Sequence, residues 1–409
     1  MAEPPFTADP TGAALSAAPL SPPPPPPPLA PPPIPSGAAP DSAQSQPAGE
    51  GAEASAYPAS LEGIVRHAFM RQYSDVHLGV GEEPRFRSRG DIVRSGWPVT
   101  DALTFREWMR EILDPAGFDR FQQLKDYDGS FAFGFVRIRV NLFQSLLGPA
   151  MVLRLIPQQI ATLEELELPL ALAELLRRPK GLILVTGPTG SGKSTTLAAL
   201  IDHINRNMKR HVITIEDPVE FLHQSSQSLV RQRQVGLHTN ELKTALRACL
   251  REDPDVIMIG EIRDKETLEI ALQASQAGQL VLGSMHTNSA VRTVERVVGM
   301  VSPQDQDSVR RGLSESLLAI ISQGLAKTLA GQRVGFFEIL INTDACREYI
   351  RNSELDPIEE IMARSGFAGM QTADQSLLRL VEAGRISSEE ALALSQRPGE
   401  LGQALRGRF

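Results

Sequence analysis

The chain has 409 residues, of which 42% are hydrophobic, and carries a formal net charge of −8. A length of this order predicts roughly two to three domains with real cores. The acidic balance and the lack of any dense arginine or lysine block exclude bulk nucleic-acid binding. The two cysteines, Cys249 and Cys346, have no metal-ligand spacing and predict a reducing compartment without disulfides. No run of 18 apolar residues and no secretory-type N-terminus is present. The chain therefore reads as cytoplasmic, with any membrane contact made peripherally, through a partner.

Residues 1–58 hold 18 of the 31 prolines, five acids and no basic residue. Such a segment cannot bury enough apolar surface to offset the entropy of ordering. It is expected to be disordered, with local polyproline II, and to act as a solvated spacer; a docking ligand for a proline-binding domain is the alternative. Residues 59–158 read as a small α+β domain with an antiparallel sheet. Its elements are a helix from Leu61 to Phe69, a strand from Asp75 to Val80, a hairpin around Gly90, a helix from Thr104 to Leu113, and strands at 131–140 and 150–156. Residues 159–180 are expected to form a connecting helix.

From Gly181 onward, strands alternate with helices. Strands are expected at 181–186, 211–216, 255–259, 279–284 and 333–341. Helices are expected at 193–206, 240–251, 265–277, 289–299 and 307–329, with several more after 344. This order predicts an α/β core over 181–345, mostly parallel and covered on both faces, and a helical region over 346–409. Ligands bind such sheets at the carboxyl ends of the strands.

Gly187-Pro188-Thr189-Gly190-Ser191-Gly192-Lys193-Ser194-Thr195 is a complete phosphate-binding loop, and it sits between a predicted strand and a predicted helix. The glycines let backbone amides turn inward onto an anion at a helix N-terminus. Lys193 would reach the β- and γ-phosphates, and the Ser194 hydroxyl would hold Mg²⁺. Three further strand ends carry polar groups: Glu216 to Glu220, Glu261 after Asp255-Val-Ile-Met-Ile-Gly260, and His286 after Leu280-Val-Leu-Gly-Ser-Met285. All should converge on one crevice. Water activation there requires Glu220 or Glu261; the working assignment makes Glu220 the base and gives Glu261 the metal and the water, with the two roles open to exchange.

These segments resemble the Asp box, Walker B and His box of the secretion-type AAA/RecA-like ATPases. The resemblance is strongest to the type IV pilus retraction ATPases, and it runs from about Ser60 to the C-terminus. Leu250-Arg-Glu-Asp-Pro-Asp-Val-Ile-Met-Ile-Gly-Glu-Ile-Arg-Asp264 and Met370-Gln-Thr-Ala-Asp-Gln-Ser-Leu-Leu378 carry it most specifically. It implies a PAS-like N-terminal domain, Mg-dependent ATP hydrolysis and a homohexamer on the cytoplasmic face of the inner membrane. It also implies work on an inner-membrane pilus platform protein, alone or beside other pilus ATPases. In the family, arginines of the N-terminal domain reach the nucleotide; here these are Arg139 and Arg154. His286 would sense the γ-phosphate or couple it to the sheet.

One stretch departs from the family. The retraction motif Ala-Ile-Arg-Asn-Leu-Ile becomes Ala345-Cys346-Arg347-Glu348-Tyr349-Ile350. This leaves an extension, secretion or accessory retraction ATPase as an alternative, and a nucleotide-gated binding subunit without turnover as one of another class. The tetracysteine metal element of the extension and secretion ATPases is missing, which favours the retraction branch.

Overall fold

The computed structural model describes residues 58, 60–88, 90–156 and 159–407. The proline-rich tail expected over 1–58 lies outside these residues except for Pro58.

The first part contains α1 (Leu61–Met70), β1 (Asp75–Gly79), β2 (Arg85–Ser88), β3 (Asp91–Arg94), α2 (Ala102–Ile112), α3 (Pro115–Leu124), β4 (Asp126–Phe133), β5 (Val136–Ser145) and β6 (Gly148–Ile156). Each helix starts where its sequence supplies a cap. Ser60, Asp101 and Asp114 accept from backbone amides in the first turn, and Pro115 opens α3. The strands form one antiparallel sheet in the order β3-β2-β1-β6-β5-β4. Alternate residues, Val76, Phe86, Ile138, Val140 and Leu153, pack against Leu61, Ile64, Phe105 and Trp108 of α1 and α2. The single strand expected at 131–140 is instead a hairpin that pairs Phe133 with Val136 across Gly134 and Phe135. The alternation of apolar residues slips by one residue there, which is what a two-residue turn produces.

The connecting helix is shorter than expected. Only α4 (Leu170–Leu176) is helical, because Glu167 takes a positive φ of 56° and Pro169 follows. Then come β7 (Gly181–Thr186), α5 (Lys193–Asn207), β8 (His211–Glu216), β9 (Leu229–Gln234), α6 (Leu242–Cys249), β10 (Val256–Ile259), α7 (Lys265–Ala277), β11 (Leu280–Met285), α8 (Ala290–Gly299), α9 (Gln306–Ser316), β12 (Leu317–Lys327) and β13 (Arg333–Ile341). The chain continues with α10 (Asp344–Asn352), α11 (Asp356–Arg364), α12 (Ala373–Glu382), α13 (Ser388–Leu394) and α14 (Pro398–Arg406).

The second sheet has the order β13-β12-β7-β11-β10-β8-β9, parallel except for the pair β12–β13. It is buried on both faces, so β7, β10 and β11 read as unbroken apolar runs. One face packs on α4 and α5, the other on α6 to α10. The fold is thus the mostly parallel α/β architecture expected, following a sheet with helices.

Two strands of this sheet are absent from the sequence expectations. β9 is a polar edge strand, so its sequence lacks an apolar signature. β12 occupies the second half of the helix expected at 307–329. A short continuous apolar run such as Leu317 to Ile321 fits a buried helix or a buried strand equally well. Its pairing with both β7 and β13 decides for strand, and the buried Asn342 side chain donates to the carbonyls of Ser314 and Leu317 at 2.9 Å each, pinning the junction.

Candidate active site

The loop between β7 and α5 closes over one end of the sheet. Gly187 has φ 146°, and a Cβ there would lie 2.3 Å from the Gln323 carbonyl oxygen and 2.5 Å from Ser191 Oγ. Only glycine fits that position. Gly190 and Gly192 also take positive φ, and Gly192 precedes the first turn of α5. The loop is held from behind by Gln323 of β12, whose Nε2 donates to the Ser191 carbonyl at 2.6 Å. Lys193 Nζ folds inward and donates to the carbonyls of Gly187 at 2.9 Å and Pro188 at 3.0 Å. Burial lowers the Lys193 pKa, while the charges of Glu261 and Glu220 pull against that shift.

A chain of polar contacts runs out from this lysine. Lys193 Nζ lies 3.4 Å from His286 Nδ1, and His286 Nε2 lies 3.1 Å from Glu261 Oε1. An ammonium has only hydrogens to offer, so Nδ1 accepts and Nε2–H donates to Glu261. Glu261 is also paired with Arg263 at 2.8 Å. Burial alone would raise the Glu261 carboxyl, but the bond to Arg263, the Arg263 charge and the bond from His286 outweigh it and hold the pKa below the ordinary value. Three strand ends, β7, β10 and β11, are tied together by side chains that the sequence scatters over nearly a hundred positions.

Glu216, at the end of β8, is buried. It accepts from Thr214 Oγ1 at 2.6 Å and from Gln232 Nε2 of β9 at 3.1 Å. Desolvation raises its carboxyl pKa despite those bonds. Glu216, Asp217 and Glu220 all line the open cleft, but Glu216 is the buried one of the three and is tied up by Thr214 and Gln232.

That cleft measures about 960 Å³. It is lined by the phosphate loop at Thr189, Gly190 and Gly192 to Thr195, by Glu220, Glu261, Arg263 and His286, and by Arg139 and Arg154 of the first sheet. The two arginines belong to a charged row across the first sheet. Arg87, Asp75, Arg154, Arg139 and Ser130 are successive cross-strand partners on β2, β1, β6, β5 and β4. Like charges directly opposite would repel. Here each arginine has its own carboxylate: Arg154 pairs with the buried Asp75 at 2.8 Å, and Arg139 with Asp128 at 2.8 Å. The bond to Asp128, with the charges of Glu220 and Asp217 beyond it, raises the Arg139 pKa.

The sequence expectation brings the phosphate loop, Glu216 to Glu220, Glu261 and His286 to one crevice, and these line it, as do Arg139 and Arg154, which the family resemblance implies. Sequence reasoning missed Gln232 and Gln323, which sit on the two unrecognised strands. It also missed Arg137, two residues from Arg139 on the same face of β5, whose guanidinium feels the charge of Glu216. The period-2 spacing of Arg137 and Arg139 was its only signal.

Residues 59–391 match the type II/IV secretion system protein family. The chain belongs to that family. Within it, the chain is 43% identical over 323 residues to the type IV pilus retraction ATPase PilT of Pseudomonas aeruginosa, covering 78% of this chain and 93% of that one. It is 37% identical over 349 residues to the type IV pilus ATPase PilU of the same organism, covering 83% and 90%. The crystal structure of the pilus retraction motor PilT with bound ADP superposes with a TM-score of 0.78 at 39% identity, over 84% of this chain and 99% of that one. The protein is a PilT-type secretion-family ATPase. Its loop cradle, with a position that no Cβ could enter, fits a nucleotide phosphate.

Proposed function

We propose that the chain is an Mg-dependent ATPase motor that retracts a type IV pilus and so drives twitching motility. One observation carries the reading: Lys193, His286, Glu261 and Arg263 form a continuous bonded chain in the phosphate-loop cleft, which Arg139 and Arg154 also line. A nucleotide phosphate offers Lys193 anionic oxygens in place of the neutral Gly187 and Pro188 carbonyls, a stronger bond for the same ammonium. Among the described residues, no group of three or more His, Cys, Asp or Glu could hold a metal alone. That suits Mg²⁺, which binds through few protein groups and the substrate's phosphates; Ser194 and Glu261 would hold it. When bound, the ion neutralises charge developing on the β- and γ-oxygens.

Glu220 is the proposed base, free on the cleft wall, while Glu261 orients metal and water. Arg139 and Arg154 stabilise the charge that builds up during hydrolysis, reaching the nucleotide of their own cleft or, in a homohexamer, that of a neighbouring subunit. The resulting domain motion passes to an inner-membrane platform protein from the cytoplasmic side. The decisive experiment counts surface filaments in cells with wild-type chain or Lys193→Ala: excess filaments with the variant support retraction, and their loss points to extension. Phosphate release separately reads the chemistry, and Glu220→Gln with normal turnover would move the base to Glu261.

A second reading, an accessory retraction ATPase, is favoured by α10. Cys346 and Ile350 are buried there, but Glu348 stands exposed where the retraction motif carries Asn.

A further inference from the structure

The loop that carries His286 runs only four residues before α8 begins at Ala290. Its first end is fixed in the sheet by β11. Its second end is held by residues much later in the chain. The Ala290 amide donates at 2.6 Å to Glu338 Oε1, a carboxylate of β13 that is only 8% exposed. The Asn288 carbonyl accepts from Gln396 Nε2 at 3.1 Å, in the segment between α13 and α14. Thr293 Oγ1 closes the turn on the Ser289 carbonyl at 2.7 Å.

The strand around Glu338 is itself clamped by the C-terminal helices. Phe337 N–H donates to Ser376 Oγ of α12 at 3.1 Å, and the Phe337 carbonyl accepts from Gln371 Nε2 at 2.9 Å. Ile339 and Gln371 exchange backbone bonds at 2.8 and 3.1 Å. The amide of Ala373, the first residue of α12, also favours the charged form of Glu338. One buried carboxylate thus faces the N-termini of two ten-residue helices, one leading back to His286 and the other belonging to the C-terminal region. A buried acid is costly unless it is hydrogen-bonded and paired or keeps its proton, and here the bonds come from the two helix N-termini.

We propose that Glu338 is a positioning residue: it transmits the placement of the C-terminal helices to the His286 loop and so sets how well His286 meets Lys193 and Glu261. The proposal rests on the reading of His286 as part of the ATPase site. A shift of α12 moves Glu338, Glu338 moves the Ala290 amide, and the four-residue loop leaves His286 little slack. The C-terminal region, far from the phosphates in sequence, then controls turnover without touching substrate.

The test measures phosphate release from the full chain with Mg-ATP. Glu338→Ala is expected to lower kcat by about tenfold with KM changed less than about twofold, because misplacing a group that acts in the chemical step costs rate more than binding. Glu338→Gln, whose carbonyl can still accept from Ala290, recovers most of that loss. In a His286→Ala background, Glu338→Ala should change kcat by less than about twofold, since residues acting through one another are not additive. An equal loss in both backgrounds overturns the proposal. If Glu338→Ala does not fold, Gln396→Ala tests the same linkage through an exposed tether: a kcat lowered about threefold at wild-type melting temperature supports it, and wild-type kcat overturns it. His286→Ala with normal turnover instead removes the reading of the site on which the proposal stands.

Discussion

Two single residues behind the cleft decide more than their sequence neighbourhood shows. Gln323 holds the phosphate loop by one bond to the Ser191 carbonyl, in a buried place where no solvent can substitute. Gln323→Ala should raise the KM for ATP by about tenfold while leaving the fold intact, as expected when a buried bond to a binding loop is lost; steady-state phosphate release measures it. Glu338 makes the opposite kind of statement, about stability. Burial first, then the charges of Glu359 and Asp374, push its carboxyl pKa from the ordinary 4.5 up to about 7, against the amides of Ala290 and Ala373. Between those values the folded chain keeps a proton that the unfolded chain has released. The stability from this group is therefore whole below pH 4.5 and is lost as pH rises through 7, by up to roughly 3 kcal/mol. Urea unfolding followed from pH 5 to 8 should show a decline that is shallower in Glu338→Gln.

At the level of elements, the β12 region shows how a junction is made. The chain leaves α9 at Ser316 and becomes strand at Leu317 with no glycine or proline between them. Asn342 supplies the stop, since its amide occupies the Ser314 and Leu317 carbonyls. Asn342→Ala should cost about 2 kcal/mol of unfolding free energy by leaving buried carbonyls unpaired. Calorimetry or denaturant titration reads this, and a cost near zero would mean that pairing with β7 and β13 fixes the junction unaided. The sequence was legible where an element's pattern came from its own burial, as in β7, β10 and β11 with their apolar runs, and α1 and α2 with apolar residues at helical spacing. It was not legible where a neighbour chose the conformation, as in β12, or where the strand was polar, as in β9. The candidate site divides the same way. Lys193, Glu261 and His286 were readable from motif and strand end, but Gln232 and Gln323 were not, because their strands were not.

For the whole molecule, the question is whether one chain suffices. Arg139 and Arg154 line the cleft of the phosphate loop but are paired with Asp128 and Asp75. Both guanidiniums are partly exposed, so each can exchange its carboxylate for a phosphate by rotating its side chain, and the proposed ring would bring a neighbour's nucleotide within reach. ATPase activity per chain should therefore rise with protein concentration as rings form, and Arg139→Ala should flatten that rise and lower kcat by about 10³, the smaller end of what an arginine supplied in trans contributes. Activity per chain that is constant from dilute solution upward would show that each chain works alone.

The amino-acid sequence by itself determined the phosphate loop, the strand ends that bear Glu220, Glu261 and His286, the alternation of strands and helices, and the family. Each is a local pattern, enforced by backbone conformations that only certain residues permit and by burial that repeats at a helix or strand period. The tertiary structure alone decided the bonded line from Lys193 through His286 to Glu261, the charged row that places Arg139 beside Arg154, and the clamp of Glu338 on the His286 loop. Those features join residues tens to hundreds of positions apart, and no local propensity encodes a distance between strands that have yet to pair.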